Sequence, residues 1–393
     1  MSKFFVSCPL GFEQELVEEM RRFWFEMMDL DGQPTRTTLT DFEVIDGGVE
    51  IETAEHLGFQ INFFSKLANR VLLRIHKFEA RYFDQFEKEF KKLDLEKWLE
   101  PQNLNLKIEA HKSRINNQKS IEESLTKLLV EKKFKVIKKL DGEGDVDEAG
   151  PAQLMYIRND KDRVTISLDT SGEHLHKRGY ALHRGEAPLR EVFANYLFKL
   201  LKKNAGSVKD LTVIDPFVGS GTILFEAQAD GSALLGRSFS WLNFKNRPKL
   251  FKSETWRQNY KWLQALPKIE CVGIDEDLKS IDNLEKNQQT FNQIFPLVRS
   301  DIETICADSL NLDLTPLKSA QNAWLITNPP YGHRLRAGSA IDVLERFESE
   351  LDLKGMIVLH PHTWNLTFKK LKLVSKIDFK NQGLRLNIAV YTA

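Results

Sequence analysis

Residues 213–226 read Val-Ile-Asp-Pro-Phe-Val-Gly-Ser-Gly-Thr-Ile-Leu-Phe-Glu, and this stretch decides the fold. A β-branched run ends in an aspartate, passes through a glycine-rich turn and opens a helix. Gly219 and Gly221 let the backbone turn tightly and approach a ligand closely. No Gly-Lys-Ser/Thr follows, so this is not a Walker-type phosphate loop. The third glycine of the dinucleotide fingerprint is also missing. Asp215 places a carboxylate at the strand end, where it suits a ligand carrying an ammonium group. Doubly wound sheets bind their ligands at such turns, outside the carboxyl ends of parallel strands.

Working outward, the same alternation continues. Pro188 suits the first turn of a helix. Leu189, Val192, Phe193, Tyr196, Leu197, Leu200 and Leu201 then follow at helical spacing. Strand-like runs recur at 211–214, 270–274, 324–327 and 356–360, with a helical stretch at 279–291. The segment 376–391 reads as a terminal hairpin around a turn at Asn381-Gln-Gly383. The expected fold is α/β, a mostly parallel doubly wound sheet with a terminal hairpin.

Upstream the pattern changes. Residues 1–59 read as a small α+β unit: a strand at 4–8, a helix at 11–22, and a hairpin at 44–51 closed by Asp46-Gly47. Residues 60–170 read as a second α+β unit. It has strands at 71–75, 106–110 and 164–169, and a helix at 120–133 that Ser120 and Glu123 would cap. The acidic loop from Asp141 lacks EF-hand spacing. Residues 171–187 have no period and form the expected linker to a domain at 188–393. In this linker His174, His176 and His183 have no Cys or carboxylate completing a ligand set, so no metal is expected. Lys177, Arg178, Tyr180 and Arg184 suit phosphate or a stacked base.

The chain has 393 residues, 56 basic and 56 acidic side chains and 41% apolar residues, as an ordinary globular protein does. No window approaches the ~18 apolar residues of a membrane span. The N-terminus lacks a secretory h-region, and three scattered cysteines make no disulfide framework. Together these point to the cytosol. Charge is uneven: residues 1–60 hold 4 basic and 13 acidic side chains, and residues 61–140 hold 19 and 11. A basic block of this kind hints at a polyanionic partner.

Three later segments carry chemistry. Asp275 follows a strand, where an acidic residue accepts from ribose hydroxyls or starts a helix. It lies 60 residues after Asp215, so the segment with Trp241, Trp256 and Trp262 must be an insertion. Asp308 suits an exocyclic adenine amine or a plain Asp-Ser turn. The decisive segment is Asn328-Pro329-Pro330-Tyr331. Two prolines fix the backbone and remove two donors, which leaves carbonyl oxygens and the Asn328 amide oxygen as acceptors. Tyr331 adds an aromatic face. The set suits a planar base with an exocyclic amine, drawn out of its stack.

Asp215 to Thr222, followed by Asn328 to Tyr331, resembles the amino-group methyltransferases that use S-adenosyl-L-methionine. More narrowly, the chain resembles the bacterial THUMP-domain RNA guanine-N2 methyltransferases. The resemblance runs over the whole chain. It includes Gly47 to Glu50, the stretch 107–129 with His111-Lys112-Ser113-Arg114, the stretch 168–180, and Ala187 to Glu191. It implies a ferredoxin-like piece, a THUMP RNA-binding domain and a Rossmann-like class I methyltransferase domain, in the form with one methyltransferase domain. Asp215, Phe217, Gly219, Ser220, Gly221 and Thr222 should then line the cofactor with Asn328. Asp275 should hold its ribose and Asp308 its adenine. Asn328, Pro329, Pro330 and Tyr331 should hold guanine, and Lys107, Lys112, Arg114 and Lys119 should meet RNA phosphates. Val218 stands where the family often has Cys.

The implied reaction is in-line methyl transfer to guanine N2, in large-subunit rRNA before tRNA, without metal or membrane. A DNA amino-group methyltransferase is the rival enzyme, and a silent RNA-binding assembly factor the rival of another class. The order of the two motifs and the basic second block favour RNA over DNA. A nicotinamide dehydrogenase has no use for Asn-Pro-Pro-Tyr.

Overall fold

The chain folds into two units, one of Met1–Leu175 with Ser238–Lys261 and one of His176–Arg237 with Trp262–Ala393. The computed structural model describes residues 1–137, 152–185, 189–253, 255–258, 260, 269–295, 298–331, 337–381 and 384–393. The acidic loop from Asp141, together with Pro188, Trp262 and the tip of the terminal hairpin, lies outside these residues.

In the first unit the elements run β1 (Ser2–Ser7), α1 (Glu13–Phe23), β2 (Phe42–Ile45), β3 (Gly48–Thr53), α2 (Glu55–Phe64), β4 (Arg70–Glu79) and α3 (Phe83–Lys91). Then come β5 (Asn103–His111), α4 (Gln118–Glu131), β6 (Lys135–Val136), β7 (Gln153–Asp160) and β8 (Arg163–Asp169). All eight strands join one sheet, in the order β2-β3-β1-β4-β8-β7-β5-β6.

This corrects the expected boundary at residue 59. Strand β1 pairs with β3 on one edge and with β4 on the other, so the two stretches share one backbone ladder. Helix α2 runs straight through the expected boundary and is buried at Leu57, Phe59, Ile61 and Phe63. A helix buried all round has no amphipathic period, which is why the sequence did not announce it. The cap of α4 also differs: Asn117 accepts from the Ser120 N–H at 3.1 Å, one turn before the expected box.

The insertion 238–261 belongs to this first unit and not, as expected, to the later domain. Its Trp241 lies parallel to Phe59, with centroids 5.1 Å apart. Trp256 packs on Phe63, and the Tyr260 hydroxyl donates to Gln60 Oε1 at 2.7 Å. Aromatic surface drives the placement, since each such ring removes a large apolar area from water.

The second unit runs α5 (Glu191–Asn204), β9 (Thr212–Asp215), α6 (Thr222–Gln228), β10 (Glu270–Asp275), α7 (Leu278–Ile294) and β11 (Ile302–Cys306). It continues β12 (Ala323–Thr327), α8 (Ala337–Glu350), β13 (Leu353–Pro361), β14 (Lys372–Asn381) and β15 (Leu384–Thr392). Its sheet order is β11-β10-β9-β12-β13-β15-β14. The first five strands are parallel, and the last two form an antiparallel hairpin against β13. Strands β9 and β12 are buried at every residue, as the inner strands of a covered parallel sheet must be. On one face Ile214, Leu325, Met356 and Val358 pack with Val343, Leu344 and Phe347 of α8.

The chain moves outward from β9 to β10 to β11, and then β12 returns to the other side of β9. Strand order therefore reverses between β9 and β12. In open α/β sheets the ligand crevice lies at that reversal, outside the carboxyl ends.

Candidate functional site

All four segments singled out from sequence end at this crevice's rim: Asp215 closes β9, Asp275 closes β10, Asp308 follows β11 and Asn328 follows β12. The parallel register aligns them, with Gly273 beside Asp215 and Asp275 beside Cys306.

Asp215 is buried. Its Oδ1 accepts from the Thr327 hydroxyl at 2.6 Å and from the Phe217 N–H at 3.1 Å. Burial pushes its carboxyl up to about 7, against the lowering effect of those two hydrogen bonds. A carboxylate so placed ties β9 to β12 and gains most from a nearby cation.

The glycines differ in their tasks. Gly221 has φ +86°, and a Cβ there would meet the Phe225 ring at 2.8 Å and Leu284 at 2.9 Å. It is glycine because the helix start demands a left-handed residue and close packing. Gly219 has φ +54°, and a Cβ there would meet nothing within 4 Å. Its surroundings are open, as a cradle for a ligand requires. Val218, the departure from the family pattern, is buried, and Gly273 leaves room for it: a Cβ on Gly273 would lie 2.8 Å from the Val218 side chain.

Asp275 Oδ2 accepts from the Gly219 N–H at 2.9 Å, and its Oδ1 from the Asp277 N–H at 2.9 Å. Partial burial raises its pKa. Asp275 therefore braces the glycine loop, and the helix-start role falls to Asp277, which accepts from the Lys279 N–H. Asp308 is exposed. Its Oδ1 accepts from the Leu310 N–H at 2.9 Å and its Oδ2 from Asn311 at 2.6 Å, so it also organises a turn.

Asn328 and Pro330 are half-buried and Pro329 is buried. Asn328 Oδ1 is shielded from solvent and has no hydrogen-bond partner among the described residues. Such an atom costs ~1–3 kcal/mol unless something donates to it. Tyr331 packs against the core on the α8 face, and burial raises its phenol.

Two linker expectations are overturned. The Arg178 and Tyr180 side chains are fully buried and cannot contact RNA. Arg178 pairs with Glu226 of α6 (Nε to Oε1, 3.3 Å), and the Tyr180 hydroxyl donates to the same oxygen at 2.7 Å. The Tyr180 ring sits between Phe225 and Phe291. A buried guanidinium needs such a partner, and the Arg178 guanidinium is spent on helix α6 rather than on a ligand. Arg184 donates to Glu191 at 2.9 Å and to the Ala181 carbonyl at 2.8 Å. Lys177 is half-buried, and its carbonyl accepts from Arg237.

In the first unit Lys107, Lys112, Arg114 and Lys119 are all exposed along β5, the turn after it and the start of α4. Lys107 lies over the Tyr156 ring at 5.2 Å and 3.6 Å from Glu109. Arg114 donates to the Tyr82 hydroxyl at 3.0 Å.

Sequence reasoning missed several supports. Ser309 donates to the Pro216 carbonyl at 2.8 Å, joining the turn after β11 to the glycine loop. Asn287, buried on α7, accepts from the His183 N–H and donates to the Ser220 carbonyl. An Asn at an inward position of an amphipathic helix was the available signal. Among the described residues no group of His, Cys, Asp or Glu is placed to hold a metal ion, and no helix is long and apolar enough to cross a membrane. A cavity of about 530 Å³ opens elsewhere, near the amino ends of β9, β10 and β11, between Thr212, Glu270, Glu303 and Gln321. It lies away from the four segments, and strand polarity favours the other end.

Comparison with known proteins finds relatives of both sequence and fold. The family described as "RMKL-like, methyltransferase domain" matches residues 178–366. A "Ribosomal RNA large subunit methyltransferase K/L" from Shewanella frigidimarina is 28% identical over 420 residues, covering 100% of this chain and 53% of that protein. The chain thus spans about half the length of that relative. A "predicted N6-adenine-specific DNA methylase" from Listeria monocytogenes superposes with TM-score 0.74 at 21% identity, over 98% of this chain and 95% of that one. SMU.472, "a putative methyltransferase complexed with SAH", gives 0.74 at 20% identity, over 100% and 98%. The fold of both units is therefore shared with these solved structures over nearly the whole chain, and residues 178–366 are similar to the RMKL-like methyltransferase domain.

Proposed function

We propose that the protein is an S-adenosyl-L-methionine-dependent RNA methyltransferase acting on the exocyclic N2 of a guanine, in large-subunit rRNA. The observation that carries this reading is Asn328 Oδ1 at the end of β12, shielded from solvent and without a hydrogen-bond partner among the described residues, beside the strand that opens the glycine loop. The relative named for large-subunit rRNA supports the choice of RNA, as does the exposed basic row on the first unit.

The residues fit the cofactor. Gly219 leaves open space, Asp215 is a buried carboxylate suited to an ammonium group, and Asp275 and Asp308 stand at the next two strand ends. When bound, the cofactor supplies a methyl group already activated on a sulfonium. The chain supplies position. Asn328 Oδ1 accepts an N–H of the target amine, and the carbonyls of the double-proline turn offer further acceptors. Tyr331 stacks on the base. The amine proton becomes acidic as the N–C bond forms and leaves to water, so no strong base is required. Alignment of this kind supplies ~7–11 kcal/mol of a barrier.

The test is transfer of labelled methyl from S-adenosyl-L-methionine to protein-free large-subunit rRNA, total tRNA and duplex DNA, followed by nucleoside analysis. The expected product is N2-methylguanosine from rRNA. The same nucleoside from tRNA would change the substrate and keep the chemistry. Label in DNA alone would overturn the reading, as would no transfer to any of the three. Asn328→Ala should lower kcat at least ~100-fold while the variant still binds S-adenosylhomocysteine.

A further inference from the structure

A second buried acceptor lies one strand over from Asn328. His360 is 2% exposed, near the end of β13. Its Nδ1 lies 2.8 Å from the Pro361 carbonyl oxygen. A carbonyl only accepts, so Nδ1 carries the hydrogen, and the Nε2 of a neutral ring is left as a bare acceptor. That Nε2 is shielded from solvent and has no hydrogen-bond partner among the described residues. Burial lowers the ring's pKa, which keeps it neutral.

The neighbours of His360 leave Nε2 unused. Trp364 lies nearly parallel to the ring, 6.2 Å away and inclined by 19°. Asn387, opposite His360 on β15, is engaged elsewhere: with its amide turned to suit its surroundings it donates to Asp378 Oδ1 and accepts from Lys376 Nζ.

The strand register places His360 at the reaction end of the sheet. Thr327 pairs with Val358, so Asn328 follows one residue on and His360 two residues on in the parallel neighbour. Strand spacing and rise put their backbones roughly 6 Å apart. By alternation His360 shares a face with Thr327, Met356 and Val358, while Asn328, level with Leu359, leaves the strand there for the double-proline turn. Trp364 belongs to the core on that face, and Tyr331 packs against the same core.

We propose that His360 Nε2 is the specificity-determining acceptor for the ring N1–H of the target guanine, working beside Asn328 Oδ1, which accepts from the 2-amino group. This rests on the guanine reading above. Of the four RNA bases only guanine presents an amine donor and a second ring donor side by side. Adenine and cytosine present a bare ring nitrogen next to their amine. That lone pair would face the Nε2 lone pair, and two buried acceptors would remain unpaired, which costs discrimination far beyond a lost contact.

The experiment uses the full chain, labelled S-adenosyl-L-methionine and a large-subunit rRNA transcript, with nucleoside analysis and mapping of the product. Wild type should label guanine N2. Label on adenine N6 instead would overturn the guanine reading and this assignment with it. His360→Leu should bind S-adenosylhomocysteine within about twofold of wild type and lose ~30–100-fold in kcat/KM for RNA. His360→Gln, which offers an amide oxygen, should recover part of the loss. A His360→Leu variant that binds S-adenosylhomocysteine normally and methylates guanine within about threefold of wild type would overturn the role of His360 and leave the guanine reading standing. Should the leucine variant not fold, the substrate carries the test. A transcript with 1-methylguanosine at the mapped position should be methylated by wild type ~30-fold more slowly, and an undiminished rate would overturn the proposal.

Discussion

Near pH 7 the Asp215 carboxyl is poised between its two forms, because burial raises it to about 7. An ordinary carboxylate ionises near pH ~4 in the unfolded chain. Between those values the folded chain holds a proton that the unfolded chain has lost. The contribution of this group to stability is therefore complete below pH ~4 and declines as pH rises through about 7. Thermal melts from pH 5 to 8 should show that decline, and Asp215→Asn should flatten it. Ligand binding has the opposite sign. A cationic ligand favours the ionised carboxylate, so affinity for S-adenosylhomocysteine should rise across pH 6–8 with release of a proton. Calorimetry in buffers of different ionisation enthalpy reads that proton directly. No proton release would mean that the ammonium group does not meet Asp215.

The turn between β9 and α6 separates two kinds of glycine. Gly221→Ala forces a left-handed residue and two close contacts, with Phe225 and Leu284. It should cost ~2–4 kcal/mol of stability, read by denaturant unfolding. Gly219→Ala meets only backbone strain, about 1 kcal/mol, because nothing lies within 4 Å. Its larger effect should be on S-adenosylhomocysteine binding, with a loss of ~10-fold or more. Equal effects on stability and binding in the two variants would contradict the division of labour. Both glycines were legible as a ligand turn from the order strand, Asp, Pro, Gly-x-Gly, helix. Their different reasons were not, since Leu284 reaches Gly221 from a helix some sixty residues later.

In the whole molecule, the first unit holds an aromatic insertion that the sequence placed in the second. Trp241 is buried against Phe59, Phe251 and Trp256. Trp241→Ala should therefore cost ~3–5 kcal/mol in the unit of Met1–Leu175. Hydrogen exchange should show the loss of protection in β1, β3 and β4 and spare β9 and β12. The first unit also carries the exposed row Lys107, Lys112, Arg114 and Lys119. If these meet phosphates, each neutralised residue should reduce the salt slope of RNA binding by about one. Unchanged slopes in all four variants would remove this row from the interface.

By itself the sequence determined the doubly wound fold, the two motifs at Asp215 and Asn328, and most strands and helices of the second unit. Those signals are local: β-branched runs, helical periods, glycines at a turn and prolines at a strand end all act within a few residues. Only the tertiary structure decided three other matters. Parallel register brought Asp215, Asp275, Asp308 and Asn328 to one rim, though 113 residues separate the first from the last. Burial removed Arg178 and Tyr180 from the expected RNA contacts, because Glu226, on a distant helix, is the partner a buried guanidinium needs. Long-range strand pairing merged residues 1–59 with 60–170, because β1 is an inner strand that needs partners on both edges. Each of these depends on which groups meet across the fold, and a one-dimensional pattern carries no record of that.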